Sequence, residues 1–165
     1  MAKKKINAKD FIDKIEKLAR TRMASGEVVE LNNFRDLKKK TDPKTILVIE
    51  DDETMRSAMK RIFEIDGFIV KMAADGTELS AILDDTTPDL ILLDVGLPWI
   101  NGLELGQMLK EHKELKKIPL VFVSGKSSDE DVKQAFQIGA DDYIKKPFDI
   151  DKLKKTVSTL LKITN

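Results

Sequence analysis

Five short runs of aliphatic and β-branched residues recur from Thr45 onward, and this recurrence constrains the fold more than any other feature. The runs are TILVIE, FIVKMAA, DLILLD, PLVFVS and DYIKK. Between them lie stretches of about 10 to 15 residues whose apolar positions have helical spacing. Met55, Met59, Ile62 and Phe63 share one face in the first stretch, Leu105, Met108 and Leu109 in the third, and Val132, Ala135 and Phe136 in the fourth. Ile150, Leu153, Val157, Leu160 and Leu161 form a stripe in the last. Gly67, Pro88 and Gly139 punctuate the ends of the first, second and fourth helices, and Pro119 precedes the fourth strand. Strands that are apolar throughout must be covered on both faces, which calls for a parallel sheet with helices on each side. Five βα units predict a doubly wound α/β domain with strand order 2-1-3-4-5.

A chain of 165 residues has room for one such domain and an appendage. The expected division is 1–44 and 45–165. The first part carries 13 Lys/Arg against 7 Asp/Glu, and the second 16 against 22, so a net charge of +6 stands beside −6. Opposite fields suggest two roles, or docking of one part on the other. In the first part Phe11, Ile12, Ile15, Leu18, Ala19 and Met23 make an amphipathic helical stripe, with Asn7 as N-cap and Gly26 as stop. GEVVEL reads as a short extended piece and FRDLKKK as a turn or two of helix. This largely helical extension should lean on the main domain, on a second copy or on a partner. No apolar run approaches the roughly 18 residues of a membrane span. MAKKKINAKDF has no apolar stretch behind its charges, which argues against a secretory signal. The absence of cysteine excludes disulfides and thiolate catalysis and fits a cytoplasmic location.

In a parallel sheet the carboxyl ends of the strands share one edge, where ligands of open α/β sheets bind. Marking those ends collects Glu50 and Asp51 after the first run, Asp94 after the third, Ser124 after the fourth, and Lys145-Lys146-Pro147 after the fifth. Three carboxylates about 5 Å apart repel by roughly 3 kcal/mol per pair at an effective dielectric of about 20. They need a counter-charge, and an all-oxygen site suits Mg²⁺ or Mn²⁺ better than zinc. The one histidine, His112, falls in the third helix, remote from this edge. With the metal bound, Asp94 at the sheet's centre is the carboxylate placed to attack phosphorus. Lys146 supplies an ammonium and Ser124 a hydroxyl for the phosphoryl oxygens. Each residue has a plainer reading taken singly: the acidic pair as a helix cap, Ser124 as a turn residue, Lys-Pro as a loop. Their convergence at four strand ends is what favours a site.

The motifs IEDD at 49–52, LLDVGLP at 92–98, VSG at 123–125 and YIKKPF at 143–148 resemble the receiver domains of two-component response regulators, the CheY-like family with a flavodoxin-like (βα)5 fold. The resemblance covers residues 45 to about 162. It implies Asp94 as phosphoacceptor, Glu50 and Asp51 as the acidic metal pair, and the backbone carbonyl of Gly96 as a further Mg²⁺ ligand. It also implies Ser124 as switch hydroxyl, Gly125 as the small residue that leaves room for the phosphoryl group, and Lys146 as the lysine before a cis-linked Pro147. Tyr143 matches the aromatic whose rotamer follows the hydroxyl. Gly96 and Lys126 occupy positions that, in similar domains, tune dephosphorylation. Trp99 is unusual in its loop and reads equally as a partner contact or as partly buried against Ile100.

The resemblance implies a phosphoacceptor switch rather than an enzyme, and the leading expectation is that it stands alone. A histidine kinase or histidine phosphotransfer protein would be the donor. Output would pass by protein contact through the face of the fourth helix, fifth strand and fifth helix, with Tyr143 turning inward on phosphorylation. The sequence stops after the fifth helix, so no DNA-binding output and no nucleic-acid contact is expected. Two other readings compete. A haloacid-dehalogenase-like phosphatase would carry a second Asp where Gly96 stands. An adaptor would use residues 1–44 as its main or self-associating surface.

Overall fold

The computed structural model describes residues 42–163, together with Asp13 and Lys17, which are helical. The other expectations for the N-terminal extension lie outside the described residues. Backbone contacts divide the chain into Met1–Pro43 and Lys44–Asn165, and the fold below is that of the second unit.

Five strands, β1 (Thr45–Ile49), β2 (Ile69–Ala73), β3 (Leu90–Leu93), β4 (Leu120–Ser124) and β5 (Asp142–Lys145), alternate with five helices. These are α1 (Glu53–Ile65), α2 (Gly76–Asp85), α3 (Gly102–Glu111), α4 (Asp129–Ile138) and α5 (Ile150–Ile163). The strands pair in parallel in the order β2-β1-β3-β4-β5. Four helices begin on a side-chain cap: the Asp52, Asp75, Asn101 and Ser128 oxygens accept from Met55, Glu78, Leu103 and Asp131 N–H. Gly139 ends α4 in the left-handed region at φ 109°, which glycine adopts without the steric cost of a Cβ.

The pleat sorts side chains between two layers. Leu47, Ile49, Ile91, Leu93, Leu120 and Phe122 point to the layer of α2, α3 and α4. Ile46, Val48, Leu90, Leu92, Val121 and Val123 meet Met59 and Phe63 of α1 and Leu153, Val157 and Leu161 of α5. Burial on both faces holds for β1, β3 and β4 but not for β2, an edge strand whose Ile69 and Lys71 are exposed. Helical spacing also overstated three stripes. Met108 is 59% exposed, Phe136 49% and Ile150 48%, because each lies at the margin of its helix's buried face. Leu105 and Leu109, Ala135, and Leu153 with Val157 carry the packing instead. His112 caps the end of α3 rather than lying within it, at the opposite end of that helix from the strands' carboxyl edge.

Candidate functional site

The strand order makes β1 and β3 neighbours whose crossovers leave in opposite directions, which opens a crevice at their carboxyl ends. Glu50 and Asp94 are the first residues past these two strands rather than the last within them. Each is still tied to the sheet: Glu50 N–H donates to the Ala73 carbonyl and Asp94 N–H to that of Ile49. Both are buried, while Asp51 is exposed at the mouth. One carboxylate oxygen from each of the three lies within 4.8 Å of the others.

Lys146, just past β5, reaches into this group. Its Nζ stands 2.7 Å from Glu50 Oε2 and 3.4 Å from Asp94 Oδ2. Burial pulls the ammonium's pKa down, but the hydrogen bond and charge of Glu50, joined by those of Asp94, outweigh it and leave it above the usual lysine value. Burial pushes the Glu50 carboxyl up; the Lys146 hydrogen bond opposes this and the Asp94 charge reinforces it, so the net direction is upward. Lys146 N–H also donates to the Ser124 carbonyl at 3.0 Å, and the Lys146–Pro147 peptide is cis.

Beyond Asp94 the loop turns back, and Gly96 N–H donates to Asp94 Oδ1 at 3.0 Å. The Lys126 stem passes over Gly96, where a Cβ would lie 3.7 Å from Lys126 Cε. A Cβ on Gly125 would meet nothing within 4 Å, so there is open space beside Ser124. Ser124 is buried, and its Oγ accepts from Lys126 N–H at 3.1 Å. Tyr143 is already turned in. It is 8% exposed, packs against Phe122 with ring centroids 6.0 Å apart, and donates its hydroxyl to the Lys126 carbonyl. Burial pushes its phenol pKa up against hydrogen bonds with Ser127 and Ser124. Trp99 is partly buried among the residues of the α2–α4 layer, with its ring against Gly76, and Nε1 has no partner among the described residues.

Two residues escaped the sequence reading. Gly102 opens α3 directly beneath the Asp94–Val95 backbone, and Arg56 of α1 donates Nη1 to the carbonyls of Glu50 (2.9 Å) and Asp51 (2.6 Å). Both act through backbone atoms, which no side-chain pattern reveals. The Asn101-Gly102 pair was the only hint, as a turn signal.

Sheet order, acidic crevice and converging lysine define a domain that can hold a hard divalent cation beside a nucleophilic carboxylate. A family model for the response regulator receiver domain matches residues 46–158. The aerobic respiration control protein ArcA of Escherichia coli is 38% identical over 119 residues, which span 72% of this chain and 49% of that protein. The chain thus spans about half the length of the curated relatives it matches. Among solved structures, the signal receiver domain of a signal transduction histidine kinase from Syntrophus aciditrophicus has a TM-score of 0.66 at 34% identity, covering 72% of this chain and 90% of that one. A CheY-like response regulator receiver domain protein from Methanospirillum hungatei gives 0.69 at 28%, covering 74% and 97%. The chain belongs to the response regulator receiver family. Receiver domains are phosphoacceptor switches rather than enzymes in the ordinary sense, take Mg²⁺ in an acidic pocket, and imply a histidine kinase as partner. Among the described residues, no helix is long and apolar enough to cross a membrane.

The oxygen-only donor set of Glu50, Asp51 and Asp94 fits such a cation, since hard ions take carboxylate oxygens and here no imidazole or thiolate competes within the cluster.

Proposed function

We propose that the domain takes a phosphoryl group onto Asp94 from a histidine kinase or histidine phosphotransfer protein and passes its state on by protein contact. The observation that carries this reading is the convergence of three carboxylates and the Lys146 ammonium at the β1–β3 crevice.

In the transfer, an Asp94 carboxylate oxygen forms a bond to phosphorus as the donor's nitrogen–phosphorus bond breaks, and the donor nitrogen keeps that electron pair. Gly96 N–H and Lys146 Nζ hold the carboxylate in place. Glu50, Asp51 and Asp94, with the Gly96 carbonyl, would hold Mg²⁺, which when bound supplies charge neutralisation for the phosphoryl oxygens. Lys146 stabilises that group from the β5 side, Ser124 offers its hydroxyl, and the space over Gly125 admits it. An acyl phosphate exposed to water is hydrolysed, and Lys126 over Gly96 governs how readily water reaches it. Movement of Ser124 shifts Lys126, whose carbonyl holds Tyr143, and so biases the surface of α4, β5 and α5 toward or away from its partner.

The test is incubation with Mg²⁺ and acetyl phosphate, followed by intact mass. Wild type should gain one phosphoryl group only when Mg²⁺ is present, and Asp94→Asn should gain none. Equal labelling of both proteins would remove Asp94 from the role, and no labelling of either would remove phosphorylation from the reading.

A further inference from the structure

Asp51 is the least supported of the three clustered acids. Its carboxylate is exposed and has no hydrogen bond or ion pair among the described residues, whereas Lys146 pairs with both Glu50 and Asp94. Its side-chain neighbours in the cluster are two like charges. Repulsion therefore acts to swing it out to solvent, and only its backbone can hold it in position.

That backbone has a specific anchor. Arg56 Nη1 donates to the Asp51 carbonyl at 2.6 Å and to the Glu50 carbonyl at 2.9 Å. These two carbonyls belong to the residues where the chain leaves β1, past the last paired position of that strand. Arg56 sits near the amino end of α1, where the helix dipole disfavours a cation and where Glu53 shows the expected sign. Among the described residues it forms no ion pair with a carboxylate. A half-buried guanidinium placed against the dipole and spent on two successive carbonyls is a clamp on the segment Glu50–Asp51.

We propose that Arg56 is a positioning residue for the divalent cation. It fixes the backbone of Glu50 and Asp51, so that the unpaired Asp51 carboxylate stays in register with Glu50 and Asp94 before the ion arrives. The inference rests on the metal reading of this cluster. Its chemistry is that of outer supports at metal centres, whose loss weakens binding without removing a ligand.

The test is a Mn²⁺ titration of the full chain, with free ion counted by electron paramagnetic resonance and no phosphoryl donor present. Arg56→Gln keeps helix propensity and removes the charge. It should bind Mn²⁺ about tenfold more weakly than wild type. A purely structural role would lower the melting temperature equally in EDTA and in saturating Mn²⁺. A positioning role lowers chiefly the increment that Mn²⁺ adds. Arg56→Ala repeats the measurement should the glutamine variant not fold. Wild-type affinity in a folded variant overturns the role of Arg56 and leaves the metal site standing. Failure of wild type to bind Mn²⁺, or undiminished binding by Asp51→Asn, overturns the metal reading and this inference with it.

Discussion

Gly102 lies so close to Asp94 that a Cβ placed on it would stand 2.2 Å from the Asp94 carbonyl oxygen. Its own N–H donates to the Val95 carbonyl at 2.9 Å. The first turn of α3 is thus pressed against the loop that carries Asp94, the proposed phosphoacceptor, and no side chain fits between them.

Gly102→Ala should therefore push the Asp94 loop away from α3 and destabilise the domain by about 3 kcal/mol, the upper range for an overpacked site. Urea denaturation gives the stability. Acetyl phosphate labelling of the folded fraction should be slower than in wild type, because Asp94 moves with its loop. A variant with wild-type stability and labelling would show that the loop yields freely.

Gly125 offers the opposite case. A methyl group there meets nothing within 4 Å, so Gly125→Ala should leave stability within about 0.5 kcal/mol of wild type. If that space receives the phosphoryl group, the bulkier Gly125→Leu should lower the labelling rate while the urea midpoint barely changes. Unchanged labelling in the leucine variant would place the phosphoryl group elsewhere.

Lys146→Met removes the only cation that pairs with Glu50 and Asp94 among the described residues. Stripping a partner from a buried carboxylate costs about 3 kcal/mol. The loss should be largest in EDTA and shrink on adding Mg²⁺, which supplies the missing charge. Urea midpoints under both conditions check this, and an equal loss in the two would argue that no cation enters the crevice.

Tyr143 is the sole tyrosine, so tyrosinate absorbance reports it alone. Burial raises its pKa above 10.0, and the folded state therefore retains the proton that the unfolded chain gives up. The resulting stabilisation is complete below the unfolded value and is lost as pH rises through the folded one. The absorbance midpoint should lie above that of the urea-unfolded protein. A coincident midpoint would mean that the ring is turned out in solution. Tyr143→Phe, which loses the bond to the Lys126 carbonyl, should cost about 1 kcal/mol.

The places where sequence reasoning succeeded and failed follow from what a pattern can encode. Asp94 and Lys146 were legible because a parallel sheet puts every strand's carboxyl end on one edge, so a residue's place along the chain fixed its place in space. Met108, Phe136 and Ile150 were misjudged because helical periodicity gives the direction of a face and not its width. Ile69 was misjudged because apolar content does not tell an edge strand from a central one. Trp99 could be placed only once α2 was in view, since the surface it covers is Gly76, remote in sequence. Arg56 and Gly102 meet backbone atoms, and backbone positions are products of the fold rather than letters of the sequence.

The bond between Lys146 and Glu50 joins positions 96 residues apart, and that separation orders events during synthesis. The acidic segment leaves the ribosome early, Asp94 follows, and the ammonium arrives last with β5. Until then Glu50 and Asp94 face each other without their protein counter-ion, and β4 has no outer neighbour. On the function proposed above, the pocket that would receive a phosphoryl group is closed in the same step that completes the sheet, with only α5 still to pack.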